Sequence, residues 1–316
     1  MALPETIQRA SVIAACVDPS PNNVVSQYGK RVIKIPDNKV VKYGISVTKE
    51  EAENQRIAYE LVDSRIVRIP RVFDFFSDGE LGYIVMGFIE GKVIDPLEDT
   101  ASIKKIANIL DHFATLRYIT PGSLYGGPCH GLLFGDPEEL VFDSTDAMEK
   151  WFNSRLYPHN TKLNFQGFDL VLFHLDVAPR NNLWQKDGSV CLLDWASAGF
   201  YPKLFEFCMQ WIFEGKEGRF TSVLLESMNS LPEQELAQKD SMMWAWRNIQ
   251  RYAFPKDDFE LPNTRPRDST KWLLFPPPPM PAYPDEWLEE ARRAGIVLQT
   301  ESNSTDPEPS DRRAEK

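Results

Sequence analysis

The stretch His174-Leu175-Asp176-Val177-Ala178-Pro179-Arg180-Asn181 sets a His, an Asp and an Asn in the spacing H-x-D-x-x-x-x-N. Thirteen residues after Asn181 a second carboxylate follows, in Leu192-Leu193-Asp194-Trp195. Phosphoryl transfer from a nucleotide needs such a set: a carboxylate beside the acceptor hydroxyl, and oxygen ligands for Mg²⁺. Asp176 suits the first task, orienting and deprotonating the hydroxyl. Asn181 and Asp194 suit the second. His174 is placed to brace the loop by hydrogen bonding rather than to move a proton. Pro179 stiffens the loop by fixing its own φ. Arg180 reads equally as a phosphate contact and as a solvated side chain.

The segment between Asn181 and Asp194 reads as a hairpin. Residues 182–185 and 190–193 are strand-like, and Lys186-Asp187-Gly188-Ser189 lies between them. Asp-Gly favours a two-residue type I′ turn. Centred there, the register sets Lys186 opposite Ser189, Trp184 opposite Cys191 and Asn181 opposite Asp194. Directly opposed residues have Cβ atoms about 4.5–5.5 Å apart, close enough to share one or two ions. A slip of one residue would put them on opposite faces.

A second set of residues lies near the N-terminus. Lys42 sits in Val40-Val41-Lys42-Tyr43, a strand otherwise fit for burial, where a lysine needs a partner or a phosphate. A plain solvent-facing strand lysine is the alternative. A helix is expected from about residue 49 to 62, with Thr48 as N-cap and Glu51 completing a capping box. Its apolar face is set by Ile57, Ala58, Leu61 and Val62. At about 100° per residue, Glu51 falls nearer the centre of that face than Glu53, the other candidate partner for Lys42. Ser26-Gln27-Tyr28-Gly29-Lys30 holds one glycine and is a thin match to a phosphate loop. G-x-x-x-x-G-K-[ST] is absent, which argues against a P-loop nucleotidase.

The elements around these residues fall in a definite order. Residues 1–23 read as irregular. Strands at 32–35, 40–43, 69–73 and 83–86, with the 49–62 helix, make a small β-rich lobe over 24–91. Residues 92–299 make a larger, mostly helical lobe. There Ile103, Ile106, Ala107, Leu110, Phe113 and Ala114 form one stripe at the 3.6-residue period. A long loop is expected over 120–136, and helices over 149–156, 204–214, 220–231 and 233–250. The run Leu170-Val171-Leu172-Phe173 feeds the 174–181 loop. Phe275-Pro276-Pro277-Pro278-Pro279-Met280-Pro281 suits neither helix nor central strand. Residues 300–316 read as a disordered acidic tail.

Composition narrows the function classes. The 316 residues carry 35 Lys+Arg and 46 Asp+Glu, a net charge of −11. That balance argues against nucleic acid or an anionic membrane as partner. Cys16, Cys129, Cys191 and Cys208 are scattered, with no C-x-x-C pair, and fit reduced thiols in the cytoplasm. No apolar run approaches the ~18 residues of a membrane span, and the N-terminus has no basic region before an apolar one.

With these residues in place the chain resembles the aminoglycoside phosphotransferase family, small-molecule kinases distantly similar to protein kinases. The resemblance covers residues 24–215. It rests on Val41-Lys42-Tyr43-Gly44, Glu51-Ala52, Ile69-Pro70-Arg71-Val72, Tyr83-Ile84-Val85-Met86 with Glu90-Gly91, the 174–181 loop, and Asp194-Trp195-Ala196-Ser197-Ala198-Gly199-Phe200. It is similar above all to the fungal branch, where a loop like His-x-Asp-x-Ala-Pro-Arg-Asn precedes Asp-Trp and Ala-Gly. The resemblance implies an α+β, protein-kinase-like two-lobed fold. It implies ATP and Mg²⁺ as cofactors, Asp176 as base, and Asn181 and Asp194 as metal ligands. It also implies Lys42 with Glu51 at the phosphates, and adenine on the hinge backbone at Met86, Phe88 and Ile89. Two positions depart from the family pattern: Gly87 stands where Glu is usual, and Ala196 where many members have Glu after Asp-Trp. Asp-Trp in place of D-F-G, and no A-P-E, argue against a protein kinase.

The expectation is an ATP- and Mg-dependent phosphotransferase acting on a hydroxyl of a small metabolite or aminoglycoside-like compound. Its main rival is a non-catalytic kinase-like binding module, and metal-dependent hydrolysis is a third reading. Glu206, Trp211 and Glu214 are candidate lining residues for the acceptor. The acceptor's identity and the oligomeric state are not encoded in these motifs.

Overall fold

The structure, a computed structural model, describes residues 8–26, 31–135, 140–156, 159 and 161–252. Its strands are β1 (Val24–Ser26), β2 (Arg31–Ile35), β3 (Lys39–Gly44), β4 (Val72–Asp78), β5 (Leu81–Gly87), β6 (Lys92–Val93), β7 (Arg117–Tyr118), β8 (Gly122–Ser123), β9 (Leu170–Phe173), β10 (Asn182–Trp184), β11 (Val190–Leu192) and β12 (Gly199–Tyr201). Its α-helices are α1 (Arg9–Val17), α2 (Lys49–Leu61), α3 (Thr100–Phe113), α4 (Thr145–Asn153), α5 (Leu204–Glu217), α6 (Arg219–Ser227), α7 (Glu233–Leu236) and α8 (Lys239–Arg251). The fold is α+β and two-lobed: a small antiparallel β lobe with one main helix, α2, then a larger, mostly helical lobe.

The small lobe is one antiparallel sheet in the order β1-β2-β3-β5-β4. Residues alternate sides along a strand, so β3 sends Val41 and Tyr43 outward and Val40 and Lys42 toward the other lobe. Both sides of β3 are buried, and each has its own cover. On the inner side Val40, Val47, Ala52, Val72, Ile84 and Met86 form one cluster with the start of α2. On the outer side Val41, Tyr43, Phe76, Tyr83 and Val85 pack beneath Val12 and Cys16 of α1.

Helix α1 lies inside the segment expected to be irregular. Its packed apolar residues are Val12, Ile13, Ala15 and Cys16, a patch too short to show a period, and it is fixed by tertiary contacts. The Arg9 guanidinium donates twice to the Asp74 carboxylate, at 2.9 Å each, and the Tyr43 hydroxyl donates to the Cys16 carbonyl at 3.0 Å. Helix α2 begins at the expected N-cap, with Thr48 Oγ1 accepting from the Glu51 N–H at 3.2 Å, while the Glu51 carboxylate pairs with Lys42.

In the large lobe Ile103, Ile106, Ala107, Leu110 and Phe113 of α3 are buried, as their periodicity requires. They join one core with Phe134, Phe152, Phe165, Trp195 and Phe205. Strand β9, buried throughout, pairs with β7 and β12 and delivers the chain into the 174–181 loop. The helix expected over 149–156 starts earlier, at Thr145, where Ser144 Oγ accepts from the Ala147 N–H. The one expected over 220–231 ends at Ser227. The one expected over 233–250 is broken into α7 and α8 at Gln238. That residue's amide bonds to both backbone groups of Asn164, at 2.6 and 2.7 Å. Residues 275–281 and 300–316 lie outside the described residues. No helix among the described residues is long and apolar enough to cross a membrane.

Two stitches join the lobes at the hairpin formed by β10 and β11. Strand β6, just past the hinge, pairs antiparallel with β10. Arg68, between α2 and β4, donates its N–H to the Val190 carbonyl at 2.9 Å and accepts from the Leu192 N–H at 3.0 Å. The hinge lies so near β10 that a Cβ on Gly91 would sit 2.7 Å from the Trp184 carbonyl oxygen. Gly91→Ala should therefore lower unfolding free energy by about 1–3 kcal/mol through overpacking, read as a reduced urea midpoint at unchanged slope.

Candidate active site

The hairpin carrying the two expected metal ligands is offset by one residue from the register that Asp-Gly suggests. The observed pairs are Asn182 with Leu192, Leu183 with Cys191 and Trp184 with Val190. Asp187 does not have a positive φ, so the turn is not type I′. Gly188 alone takes φ +77°, its N–H bonds the Gln185 carbonyl, and Gln185 N–H bonds Ser189. That is a three-residue loop closed by a glycine bulge. Asn181 consequently lies across from Leu193, which donates its N–H to the Asn181 carbonyl at 3.0 Å. Asp194 falls one residue further and recovers its direction locally. Its φ is +64°, a left-handed conformation that a short polar side chain tolerates, and its carboxylate turns to Lys42 with Oδ1 3.2 Å from Nζ.

Lys42 is 8% exposed and forms an ion pair with Glu51 as well as Asp194. Glu53 pairs instead with Arg56 on the outer side of α2. The inward side of this helix mixes polar and small residues: Glu51, Asn54 and Gln55 are buried beside Ala52 and Ala58. The expected apolar face of Ile57, Ala58, Leu61 and Val62 is buried in part: Ala58 and Val62 join the core, Ile57 is half-buried and Leu61 is exposed, because the side facing the cleft must also answer polar groups. Asn54 Nδ2 lies 3.2 Å from the carbonyls of Trp195 and Ala196, and its Oδ1 accepts from Ser123 Oγ and Tyr125 N–H at 2.9 Å. Gln55 Nε2 donates to the Pro70 carbonyl at 2.7 Å. Helix α2 is thus tied both to its own sheet and to the segment following Asp194.

The 174–181 loop is held from several sides. His174 is fully buried, its Nε2 3.0 Å from the Leu193 carbonyl and its Nδ1 accepting the Asp176 N–H at 3.3 Å. Burial pushes its pKa down to about 4, against the opposing pull of Asp194, so the ring is neutral and acts as a brace. Leu175 takes φ +58°, a costly conformation for a bulky residue. Its N–H donates to Glu206 Oε2 at 3.2 Å. Gln210, one turn along α5, donates to Glu206 Oε1 at 3.0 Å and lies 3.2 Å from the Val177 carbonyl. Glu206 is therefore a buried support beneath the loop rather than a lining residue of an acceptor site. Burial raises its pKa to about 7.

Asp176 projects from this scaffold. Asn181 Nδ2 donates to its carbonyl oxygen and to Oδ2, both at 2.8 Å, and Arg180 pairs with Oδ1. Arg180 also reaches Glu217 Oε1 at 3.2 Å, so it is a structural bridge in this state. Burial raises the Asp176 pKa; Arg180 and Asn181 lower it and Asp194 raises it. With Nδ2 of Asn181 turned to Asp176, the amide oxygen is the atom left for a cation. Among the described residues no group of three or more His, Cys, Asp or Glu could hold a metal, so Asn181 and Asp194 offer a partial, oxygen-only set.

The other expected positions divide. The Phe88 N–H is taken by the Asn38 carbonyl at 2.9 Å, and Met86 is paired within the sheet and packed on the inner cluster. Of the three hinge positions, Ile89 keeps an N–H without a hydrogen bond among the described residues. Trp211 packs on Phe207 and under Lys239, and Glu214 is exposed. Residues 27–30 of the thin phosphate-loop match lie outside the described residues. Asn54, Glu206 and Gln210 were missed as positioning residues. A polar i, i+3, i+4 set on a short helix was the available signal for Asn54.

The model of the phosphotransferase enzyme family matches residues 27–229. Among solved structures, the aminoglycoside phosphotransferase APH(4)-Ia is 14% identical, with a TM-score of 0.50, covering 78% of this chain and 90% of that one. A thermostable mutant of that enzyme, in ternary complex with ADP and hygromycin B, is 14% identical with a TM-score of 0.51, covering 76% and 88%. The choline kinase LicA from Streptococcus pneumoniae is 14% identical with a TM-score of 0.44, covering 76% and 89%. At this identity the likeness is one of fold. No curated protein sequence matches the chain.

The buried Glu206 makes stability depend on pH. Its folded pKa of about 7 lies above the unfolded value near 4.5, so its contribution is full below ~4.5 and is lost as pH rises through 7. Urea midpoints should therefore fall from pH 5 to pH 8 in the native chain and fall less in Glu206→Gln. Equal slopes would exclude Glu206 as the buried titrating group.

Proposed function

Because the chain belongs to the phosphotransferase enzyme family, we propose that it transfers the γ-phosphoryl group of ATP to a hydroxyl of a small metabolite or aminoglycoside-like compound. The observation that carries this reading is Lys42. It is buried between Glu51 of α2 and Asp194 of the loop after β11, beside a second loop that presents Asp176 and Asn181. A lysine held by a helix carboxylate is poised for nucleotide phosphates.

Three carboxylates, Glu51, Asp176 and Asp194, meet two cations here, Lys42 and Arg180. An excess of negative oxygen ligands fits Mg²⁺, with Asn181 Oδ1 and Asp194 as the residues that would hold it. Mg²⁺ keeps few protein ligands and takes the rest from phosphates and water, so a two-residue set is sufficient. When bound, the ion supplies charge neutralisation at the phosphates. Lys42 would bind the phosphates. Ile89 would offer the base its hinge N–H, which has no hydrogen bond among the described residues. Asp176 would accept the proton of the acceptor hydroxyl as that oxygen forms its bond to the γ-phosphorus and ADP leaves. Neutral His174 and buried Glu206 keep Asp176 in position.

The lobes would divide the work: residues 24–91 for the nucleotide, and residues 92–299 for catalysis, the metal ligands and the acceptor. The Ala178-Pro179-Arg180 sequence between Asp176 and Asn181 is what supports a place beside the fungal members. All four cysteines are buried free thiols, which supports a reducing compartment such as the cytoplasm.

The test is ADP release with amino alcohols, other small alcohols and aminoglycosides. Asp176→Asn should lower kcat by about 10²–10⁴-fold, with Mg·ATP binding retained by calorimetry. Undiminished turnover in that variant would sink the assignment of the base, and failure of the native chain to bind Mg·ATP would favour a binding module. Arg180→Ala removes a cation that lowers the Asp176 pKa. The acid limb of its kcat/KM profile should move to higher pH than in the native enzyme.

A further inference from the structure

The two cations of the site are held differently. Lys42 is buried and committed to Glu51 and Asp194. Arg180 sits on the proposed base itself, bonded to Asp176 Oδ1, with its side chain 40% exposed. Its guanidinium is seated rather than solvated. Nη2 donates to Asp176, Nη1 donates to Glu217 Oε1 of α5 at 3.2 Å, and Cζ lies 5.6 Å from the centre of the Phe213 ring. Phe213 is buried, and so is most of Glu217. A guanidinium carries five N–H donors in a fixed fork. Two of them are used among the described residues, which leaves three for a ligand.

The chemistry fixes where the transferred group must lie. An acceptor oxygen that gives its proton to Asp176 stands about 2.6–3.2 Å from that carboxylate. In a productive complex it is about 3–3.5 Å from the γ-phosphorus. The γ-phosphoryl oxygens therefore come within about 6 Å of the Asp176 oxygens, one of which Arg180 already touches. The Arg180 backbone need not move to follow them. It stands in the short 3-10 turn Pro179–Asn181, where Pro179 fixes its own φ and the Asn181 N–H bonds the Ala178 carbonyl at 3.0 Å. Rotation of the side chain is enough.

We propose that Arg180 is a further catalytic residue, which donates to the equatorial oxygens of the γ-phosphoryl group during transfer, and that Glu217 keeps it within reach. The role rests on the phosphotransfer reading above. In that step the acceptor oxygen forms its bond to phosphorus and its proton passes to Asp176. The bond from phosphorus to the bridging oxygen breaks, and its electron pair leaves on ADP. Arg180 gives up no proton. It neutralises charge spread over the three equatorial oxygens, and in turning to them it uncovers Asp176 Oδ1 for the hydroxyl.

Two measurements test this: kcat with an acceptor from the screen above, and calorimetric binding of fluoroaluminate to the Mg·ADP complex as a mimic of the transferring group. The second needs no acceptor. Arg180→Ala should lower kcat by at least about 10²-fold. It should weaken fluoroaluminate at least about tenfold and leave Mg·ADP alone within about threefold. Arg180→Lys keeps the charge but not the fork, and should recover only part of both losses. Glu217→Gln removes the bridge to α5 but keeps the cation, so kcat should stay within about threefold of the native value. If Arg180 only ties the loop to α5, Glu217→Gln and Arg180→Ala will lower kcat alike and fluoroaluminate binding will not change. That result overturns the proposal, as does a smaller loss of kcat in Arg180→Ala. A native chain that binds no Mg·ATP sinks the phosphotransfer reading and this role together, whereas native turnover that survives in Arg180→Ala sinks the role alone.

Discussion

A buried ammonium between two carboxylates is the interaction on which the rest of this structure depends. Lys42 comes from β3, Glu51 from α2 and Asp194 from the loop after β11. Burying one charge without partners is severely unfavourable, and leaving a buried pair incomplete typically costs 3–5 kcal/mol. Sheet, helix and hairpin therefore have to arrive together. The surrounding polar contacts serve that meeting. Thr48 fixes where α2 begins, Gln55 holds it to Pro70, and Asn54 holds it to Trp195 and Ala196. This explains why a helix that must bury one face buries Glu, Asn and Gln.

The second constraint is the shape of the 174–181 loop. It has to turn sharply out of the buried strand β9 and still present Asp176, and it does so through a left-handed Leu175. Such a residue persists only where its surroundings over-determine it. Here they do: Glu206 takes its N–H, Gln210 reaches the next carbonyl but one, and His174 spans to Leu193. The His174 ring also packs edge-on against buried Trp195. The loop and the Asp194 segment are thus braced against each other, and the neutral imidazole is the strut.

Much of this was legible residue by residue. The N-cap at Thr48, the stripe on α3, the apolar run of β9 and the H-x-D-x-x-x-x-N spacing all report local rules that tertiary contacts did not override. The hairpin shows where such rules fail. Asp-Gly marks a turn correctly but does not decide between two- and three-residue loops, which differ by one step of register. The choice lies in φ at Asp187 and in the stitches to β6 and Arg68, both distant in sequence. Helix α1 was invisible for a related reason. So short an apolar patch carries no period, and its burial exists only because the sheet's outer face needs covering.

By itself, then, the sequence determined the chemistry available and the order in which it is strung: a strand lysine, a helix carboxylate, a base, an amide and a second carboxylate. Composition and spacing suffice for that, because they are properties of the covalent chain. Only the tertiary structure decided which partners meet. It turned Asp194 to Lys42 by a positive φ, put Glu206 beneath the loop, and left Leu61 exposed while burying Ala58 and Val62 of the same face. Each of these depends on the free energy of burying charge or apolar surface against residues far away in the chain, and no local pattern encodes that.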